Sequence, residues 1–235
     1  MIHPPLERMP DSRYLTEIPT HVNAVDVRFH AGGRVAVRHY KISPALVGQR
    51  YYNEHGILEW ERSLFLGLPH GVEFRFDDAG NLESRTGYRK GMEHGLALQW
   101  SPDGLLVGQY SMDGGSGWDL WWESTVGKGA MLAEARRYQN GRRCGDEWWF
   151  ASGECLEAAL CFRDDLRHEV EWRWGRSGKV QRGFPRFLLQ DQRVTKRAYL
   201  LAATQEPGLR VPEARDAQPW RTFPDVVCAA IQRHR

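Results

Sequence analysis

No run of about 18 apolar residues occurs anywhere in the chain, so the sequence offers no membrane-spanning helix. Cysteine is scarce: Cys144, Cys155, Cys161 and Cys228 are the four present, and no two of them form a C-x-x-C pair. That usage fits free thiols in a reducing cytoplasm rather than a disulfide frame. The opening stretch, MIHPPLERMPDSRYL, lacks a basic start followed by an apolar segment, so no secretory signal is expected and the protein is expected to be cytoplasmic. Neither sign of charge dominates. The 32 Lys+Arg stand against 30 Asp+Glu, a net of +2, whereas a simple polycationic nucleic-acid binder needs clustered excess cations. Catalytic motifs are missing as well. There is no G-x-S-x-G, and Gly127-Lys128-Gly129 lacks the remaining glycine and Ser/Thr spacing of a phosphate loop.

What is present is a chain of 235 residues that is 41% hydrophobic, enough for a core, with 10 Trp and 24 Gly. Abundant Trp and Gly, with few long helical patterns, point to short strands and tight turns. A repeat follows. Gly71, Gly95, Gly117, Gly145 and a degenerate Glu169 recur at intervals of 24, 22, 28 and 24 residues. A second series, Gly56, Gly80, Gly104, Gly153 and Gly178, recurs at 24, 24, 49 and 25; the 49 is two periods, with an insertion, ESTVGKGAML, between them.

Each repeat reads as two strands. Val72, Phe74 and Phe76 alternate with Glu73 and Arg75. Leu96, Leu98 and Trp100 repeat the pattern, as do Trp118, Leu120 and Trp122, then Val170, Trp172 and Trp174. Period two is the strand signal and sends the aromatics to one buried face. Turns such as Asp77-Asp78-Ala79-Gly80 and Ser101-Pro102-Asp103-Gly104 follow, and a looser turn is expected from Arg89 through Gly95. The expected fold is mainly β: a stack of ~24-residue hairpin repeats forming an elongated meandering sheet, closed by a C-terminal helix. The expected parts are an irregular arm over 1–24, hairpin repeats over 25–190, and a helical cap over 191–235. In the cap, Thr195 opens a helix that ends before Pro207. A last helix from Asp225 to about Gln232 buries Val226, Val227, Ala230 and Ile231.

The runs Tyr51-Tyr52 with Gly56 and Leu58, then Gly67, His70 and Gly71, then Phe76, Gly80, Leu82, Tyr88, Gly91, His94 and Gly95 resemble the MORN-repeat-variant family, commonly labelled YwqK-like antitoxins. Tyr138, Gly141 and Gly145 continue the likeness, which covers roughly residues 25–190. Ser116-Gly117 departs from the His-Gly pattern, and so does His168-Glu169. The resemblance implies a hairpin-repeat fold and a bacterial protein that neutralises a toxin, an antitoxin or immunity protein.

The histidines do not suit a metal. His70, His94 and His168 sit one or more periods apart, and hairpins two strand spacings away are about 10 Å distant, too far for one ion with bonds near 2 Å. No metal, no organic cofactor and no enzymatic turnover are expected. Charge placement is more informative. Residues 51–175 carry a net of −8, whereas residues 176–235 carry +7 and residues 1–50 carry +3. An acidic body would steer a cationic partner. The non-aromatic positions of the first strands sharpen this. Glu73, Asp119, Glu147 and Glu171 share the outward phase with Trp121 and Trp149, and exposed Trp beside carboxylates makes a candidate protein-binding patch. The competing reading has the insertion or the basic tail folding over those two Trp. The expected function is non-enzymatic binding and occlusion of a cognate toxin, a basic, nucleic-acid-directed enzyme, without direct nucleic-acid contact. The alternative is a MORN-like scaffold or adaptor at a membrane surface or within an assembly.

Overall fold

Six pairs of left-handed residues set the frame. The computed structural model describes residues 18–19, 21–126 and 129–233. In it Leu66-Gly67, Lys90-Gly91, Gly114-Gly115, Asn140-Gly141, Asp164-Asp165 and Gln190-Asp191 each have positive φ at both positions. Two consecutive left-handed residues are the mark of the type I′ hairpin turn, whose twist matches that of the strands it joins. The turns alternating with these are wider and close on a single left-handed glycine. At one of them the Gly80 N–H donates to Asp77 O (2.9 Å) while the Asp77 N–H donates to Asn81 O (2.8 Å), and the same pair of bonds recurs at Gly33, Gly56, Gly104 and Gly178.

Between the turns lie sixteen strands: β1 Ala24–Phe29, β2 Val35–Lys41, β3 Leu46–Tyr52, β4 Leu58–Phe65, β5 Leu68–Phe76, β6 Leu82–Arg89, β7 Met92–Glu93, β8 Gly95–Trp100, β9 Leu106–Asp113, β10 Ser116–Thr125, β11 Gly129–Gln139, β12 Arg142–Ser152, β13 Cys155–Arg163, β14 Leu166–Arg173, β15 Arg186–Leu189 and β16 Gln192–Val194. They form an antiparallel sheet of successive hairpins in which strand order follows chain order; only β7 lies off the path, as a short partner of β6. Two helices follow, α1 Lys196–Gln205 and α2 Asp225–Gln232. The chain divides into two compact units. Unit one holds residues up to Gly115 with 124–130, and unit two holds 116–123 with everything from Met131 onward.

The first glycine series has a job of its own. Gly71, Gly95, Gly117, Gly145 and Glu169 all have positive φ. Pairing registers slip opposite several of them: between Arg62 and Leu64, between Arg136 and Tyr138, and between Ala159 and Cys161. These are β-bulges, where one strand carries a surplus residue and the local twist rises. At four of these five positions the residue just before the left-handed one accepts a hydrogen bond from the next type I′ turn. Lys90 N–H donates to His70 Nδ1 (3.4 Å), Gly114 N–H to His94 Nδ1 (3.2 Å), Asn140 N–H to Ser116 Oγ (2.9 Å) and Gln190 N–H to His168 Nδ1 (3.3 Å). The histidines therefore recur because each caps a turn one repeat later. Ser116 replaces His without loss, since a hydroxyl accepts equally well. The turn expected to be loose from Arg89 through Gly95 is instead a tight Lys90-Gly91 turn followed by this bulge, which absorbs the extra residues.

The alternating apolar face is buried as expected. In unit one Phe74, Leu82 and Trp100 form a core against which Val72, Phe76, Leu98 and Leu106 pack. Ile18, buried to 1% exposure, rests on Gly48, where any Cβ would come within 2.6 Å of its side chain. The remainder of the expected N-terminal arm, 1–17 and Thr20, lies outside the described residues. In unit two the same face is roofed by the C-terminal segment. Phe223 packs on Trp148 and Phe150, the Trp174 indole N–H donates to Ala217 O (2.8 Å), and Tyr199 of α1 joins Phe187 and Leu209 in a core. Thr195 caps α1 through its hydroxyl, which accepts from Ala198 N–H at 3.2 Å. Helix α2 buries Val227, Ala230 and Ile231, one helical stripe; Val226 falls off that stripe and is 44% exposed. The described residues of the insertion extend β10 to Thr125 and start β11 at Gly129; residues 127–128 lie outside the described residues.

Two glycines should respond differently to alanine. A Cβ on Gly87 would lie 2.3 Å from the His94 carbonyl oxygen, a backbone atom fixed by the bulge, whereas one on Gly104 would meet nothing within 4 Å. Gly87→Ala should cost about 3 kcal/mol from overpacking. Gly104→Ala should cost about 1 kcal/mol, the strain of a left-handed side chain. Urea midpoints compared at equal m-values check the order, and equal costs would mean the bulge does not press on β6.

Candidate functional site

Antiparallel pairing places directly opposite residues on one face, so the registers of unit two define its second face. Glu134 lies opposite Trp149, Arg136 opposite Glu147, Trp149 opposite Ala158, Glu147 opposite Leu160, Ala158 opposite Arg173, and Glu171 opposite Arg186. Asp119 joins them through the Arg136 guanidinium (3.5 Å), and Trp121 follows Asp119 in strand phase. Sequence alternation thus assigns Asp119, Trp121, Glu147, Trp149 and Glu171 to a common face, and the structure brings them there. Glu73 holds the corresponding phase in unit one, on β5 beside Arg75.

The exposure expected for this row is not found. Glu73, Glu147 and Glu171 are buried, the side chains of the last two only 5% and 1% exposed. Among the described residues no second sheet covers them; arginines lie against them. Arg75 Nε donates to Glu73 (3.0 Å). Arg173 Nε donates to Glu171 (3.0 Å), with Arg186 at 3.9 Å. Glu147 is held by Arg143 (3.5 Å) and by the Trp149 indole N–H (3.0 Å). Arg136 reaches Asp119, Glu134 and Glu147. A long guanidinium stem lying across a strand covers what alternation alone would leave in water. These arginine side chains keep partial exposure, 31–39% for Arg136, Arg143, Arg173 and Arg186.

Aromatic rings hold the same arginines flat. Arg143 lies 4.0 Å above the Phe162 ring centroid, Arg173 lies 5.7 Å from both Trp149 and Phe184, and Arg186 lies 4.3 Å from Phe184. These are cation–π distances. The tail does not cover this face through any of its described contacts; it buries the opposite Trp set, Trp148, Trp172 and Trp174. Trp121 and Trp149 stay half-buried. The residues that sequence reasoning missed are Arg136, Arg143 and Arg186. Their signal was available in part, since each sits in strand phase with a carboxylate one or two strands away, but that pairing depends on register.

A second constellation sits on the roofed face. Glu169 occupies a bulge position that glycine fills in four other repeats, and it does so at φ 68°. A left-handed side chain there costs about 1–2 kcal/mol, and the tail offsets it: Arg210 donates to both Glu169 and Asp146. Asp146, Trp148, Glu169, Trp172, Arg210 and Arg221 are among the residues lining a cavity of about 540 Å³ beneath the tail. Its carboxylates are already engaged. The adjoining Cys161 thiol is pushed up to about 12 by burial and then by Glu169, so it is no thiolate nucleophile at neutral pH. Arg221 spends its guanidinium on the carbonyls of Asp216, Gln218 and Trp220. Among the described residues no three His, Cys, Asp or Glu side chains cluster as metal ligands, all four cysteines are free, and no helix is long and apolar enough to cross a membrane.

No family model and no curated protein matches the chain. Solved structures overlap parts of it, two of them as follows. One is S. aureus TarM in complex with fondaparinux, alpha-GlcNAc-glycerol and UDP, at 11% identity over 40% of this chain and 20% of that one, with a TM-score of 0.30. The other is a further crystal structure of TarM, at 12% identity over 45% and 19%, also at 0.30. The chain spans about a fifth of the length of these proteins, and overlap at that score carries no inference about activity.

Arg210→Ala should leave the Asp146 and Glu169 carboxylates facing each other. Because Arg210 is more than half exposed, the global cost should be only about 1 kcal/mol. The local effect should be plainer: hydrogen exchange over 195–223 should accelerate while β4–β6 stays unchanged, and uniform exchange across both would contradict a local clasp. His168 gives a pH signature. Burial, then Arg163, lowers its pKa, with Glu206 and Glu169 opposing. The unfolded chain therefore binds the extra proton, and stability should fall as pH drops below about 6.5 until the folded group also protonates. Its slope can reach at most about 1.4 kcal/mol per pH unit. Urea midpoints from pH 7.5 to 5 should fall more for the parent than for His168→Gln, whose amide oxygen can still accept from Gln190. Parallel curves would exclude His168 as the source.

Proposed function

We propose that the protein works by binding rather than by turnover, and that its task is to occlude a cognate toxin in the cytoplasm as an antitoxin or immunity protein. One observation carries the reading. The C-terminal segment closes one sheet face of unit two, while the described residues leave the other to Trp121, Trp149 and arginines already fixed by buried carboxylates. Trp and Arg are the residues that dominate binding hot spots, and side chains ordered in advance lose less entropy on association. The resemblance of Tyr51-Tyr52, His70-Gly71 and His94-Gly95 to the MORN-repeat-variant family supplies the toxin. Four free thiols suit a reducing compartment.

The scaffold or adaptor alternative has its own support in unit one. Phe65, Leu66, Leu68 and Met92 are exposed at neighbouring hairpin ends, Leu66 in a left-handed turn position that apolar residues seldom occupy. Expressing the neighbouring reading frame alone and then with this chain decides between them. The first should arrest growth and the second restore it, with a soluble complex recovered. A harmless neighbour, or an arrest that this chain does not relieve, would sink the antitoxin reading.

A further inference from the structure

Strand order leaves β1 at one end of the sheet, where among the described residues no strand pairs its outer edge. The last strand, β16, is three residues long and leads directly into α1, a short edge that offers little to pair with. β1 is six residues, AVDVRF, with no proline or lysine to blunt it. The direction of its backbone groups follows from its neighbours. Ile42 N–H donates to Leu46 O and Tyr40 lies opposite Gly48, so the even-numbered residues of β2 bond β3, while Val37 and His39 bond β1. Their partners, Arg28 and Asp26, therefore spend their backbone on β2, as does His30, whose N–H donates to Arg34 O at 2.8 Å. Val27 lies between them and turns its N–H and C=O outward. Around this bare edge Val25 and Phe29 are 66% and 62% exposed. Asp26 lies 3.5 Å from Arg28 and 3.3 Å from His39, yet the Asp26 and Arg28 side chains stay 50% and 71% exposed.

We propose that β1 pairs antiparallel with β1 of a second copy of the chain, about a twofold axis through Val27. Such a contact is isologous and closes at two copies. Charge selects both the occupant and the register. A twofold axis normal to a sheet returns each side chain to its own face. Opposite residues then share parity along the strand, and the axis must pass through a residue. Through Asp26 it would set aspartate against aspartate, and through Arg28 arginine against arginine, like charges directly opposite. Axes further out run into the register shift between Ala24 and Asp26 or the turn after Phe29. Through Val27, each Asp26 faces Arg28 of the other copy at the closer, non-hydrogen-bonded spacing, while the two Val27 exchange both backbone bonds. The same register brings Phe29 of each copy beside Val25 of the other, so apolar surface now in water is covered. Charges on an edge ordinarily deter pairing; these two are ordered to match their own reverse. The inference concerns unit one and is independent of the antitoxin reading, which rests on unit two.

The test is sedimentation equilibrium of the full chain over rising concentration, which should show a monomer passing to a dimer and no further. Asp26→Arg and Arg28→Asp should each weaken the dimer about tenfold or more, because each turns two attractive cross-strand pairs into two repulsive ones. An equimolar mixture of the two variants should dimerise again, since the paired arginines of one then face the paired aspartates of the other. The double variant Asp26→Arg/Arg28→Asp should also dimerise as the parent does. Circular dichroism checks that each variant folds. Should a charge variant unfold, Val27→Pro decides alone: it removes the outward N–H, leaves the bonds to β2 in place and should abolish the dimer. A monomer at every concentration would overturn the proposal, whether the edge is bare, covered by the chain's own residues 1–17 or kept for a different partner. So would a dimer unchanged in the folded variants, or single charge variants that stay apart when mixed. None of these outcomes touches the growth-rescue result.

Discussion

Four hairpins in this protein are tied to the next by a hydrogen bond that adds to the strand ladder. The leading N–H of a type I′ turn donates to a side chain that precedes a bulge one repeat earlier, at His70, His94, Ser116 and His168. The bulge residue behind each bond has positive φ, which absorbs the surplus residue without displacing the strand beyond it. Glycine at 71, 95 and 117 takes that φ without strain. Stacked repeats exchange most of their contacts with immediate neighbours, so a fault in one of these joints would pass its register error to the adjoining hairpin. A one-residue slip exchanges the faces of a strand, and the buried aromatics would change places with the charged row.

A sheet built this way has two faces, and an antiparallel sheet can leave one of them to water. In unit two the aromatic face is covered from within the chain, by Phe223, Tyr199 and the segment around Ala217. Among the described residues the other face has no such cover, and its own side chains lie over it. Glutamates lie low, arginines lie across them, and rings brace the arginines. A buried carboxylate left alone would be costly, so Glu147 and Glu171 are tolerable only because Arg143, Arg136, Arg173 and Arg186 converge on them. Each of these ion pairs fixes two side chains of the surface at once.

Glu169 shows where the repeat yields to closure. Its backbone keeps the left-handed bulge of the earlier units, yet its side chain would be a liability there without Arg210. Strain at such a position persists only when surrounding structure over-determines it, and here the tail does so through Arg210, Asp146 and the packing of Leu209 on Tyr199. The last repeat is therefore adapted to receive the C-terminal segment instead of another hairpin.

Much of this was written locally in the chain. Glycine spacing, the Phe74-type alternation, Thr195 as a cap and the α2 stripe follow from short-range rules of turns and periodicity, so the sequence by itself determined the hairpins, their faces and the two helices. It also determined that Asp119, Glu147, Trp149 and Glu171 would share a face, because parity along a strand is a covalent fact. Depth was another matter. Whether a carboxylate at that parity is exposed depends on which long side chain of a neighbouring strand crosses it, and this is settled by register between strands, by bulges such as the one between Arg136 and Tyr138, and by the fit of a guanidinium over a ring. Only the tertiary structure could decide that the acids sink and the arginines rise, because burial belongs to neighbours in space and a sequence orders residues along one dimension.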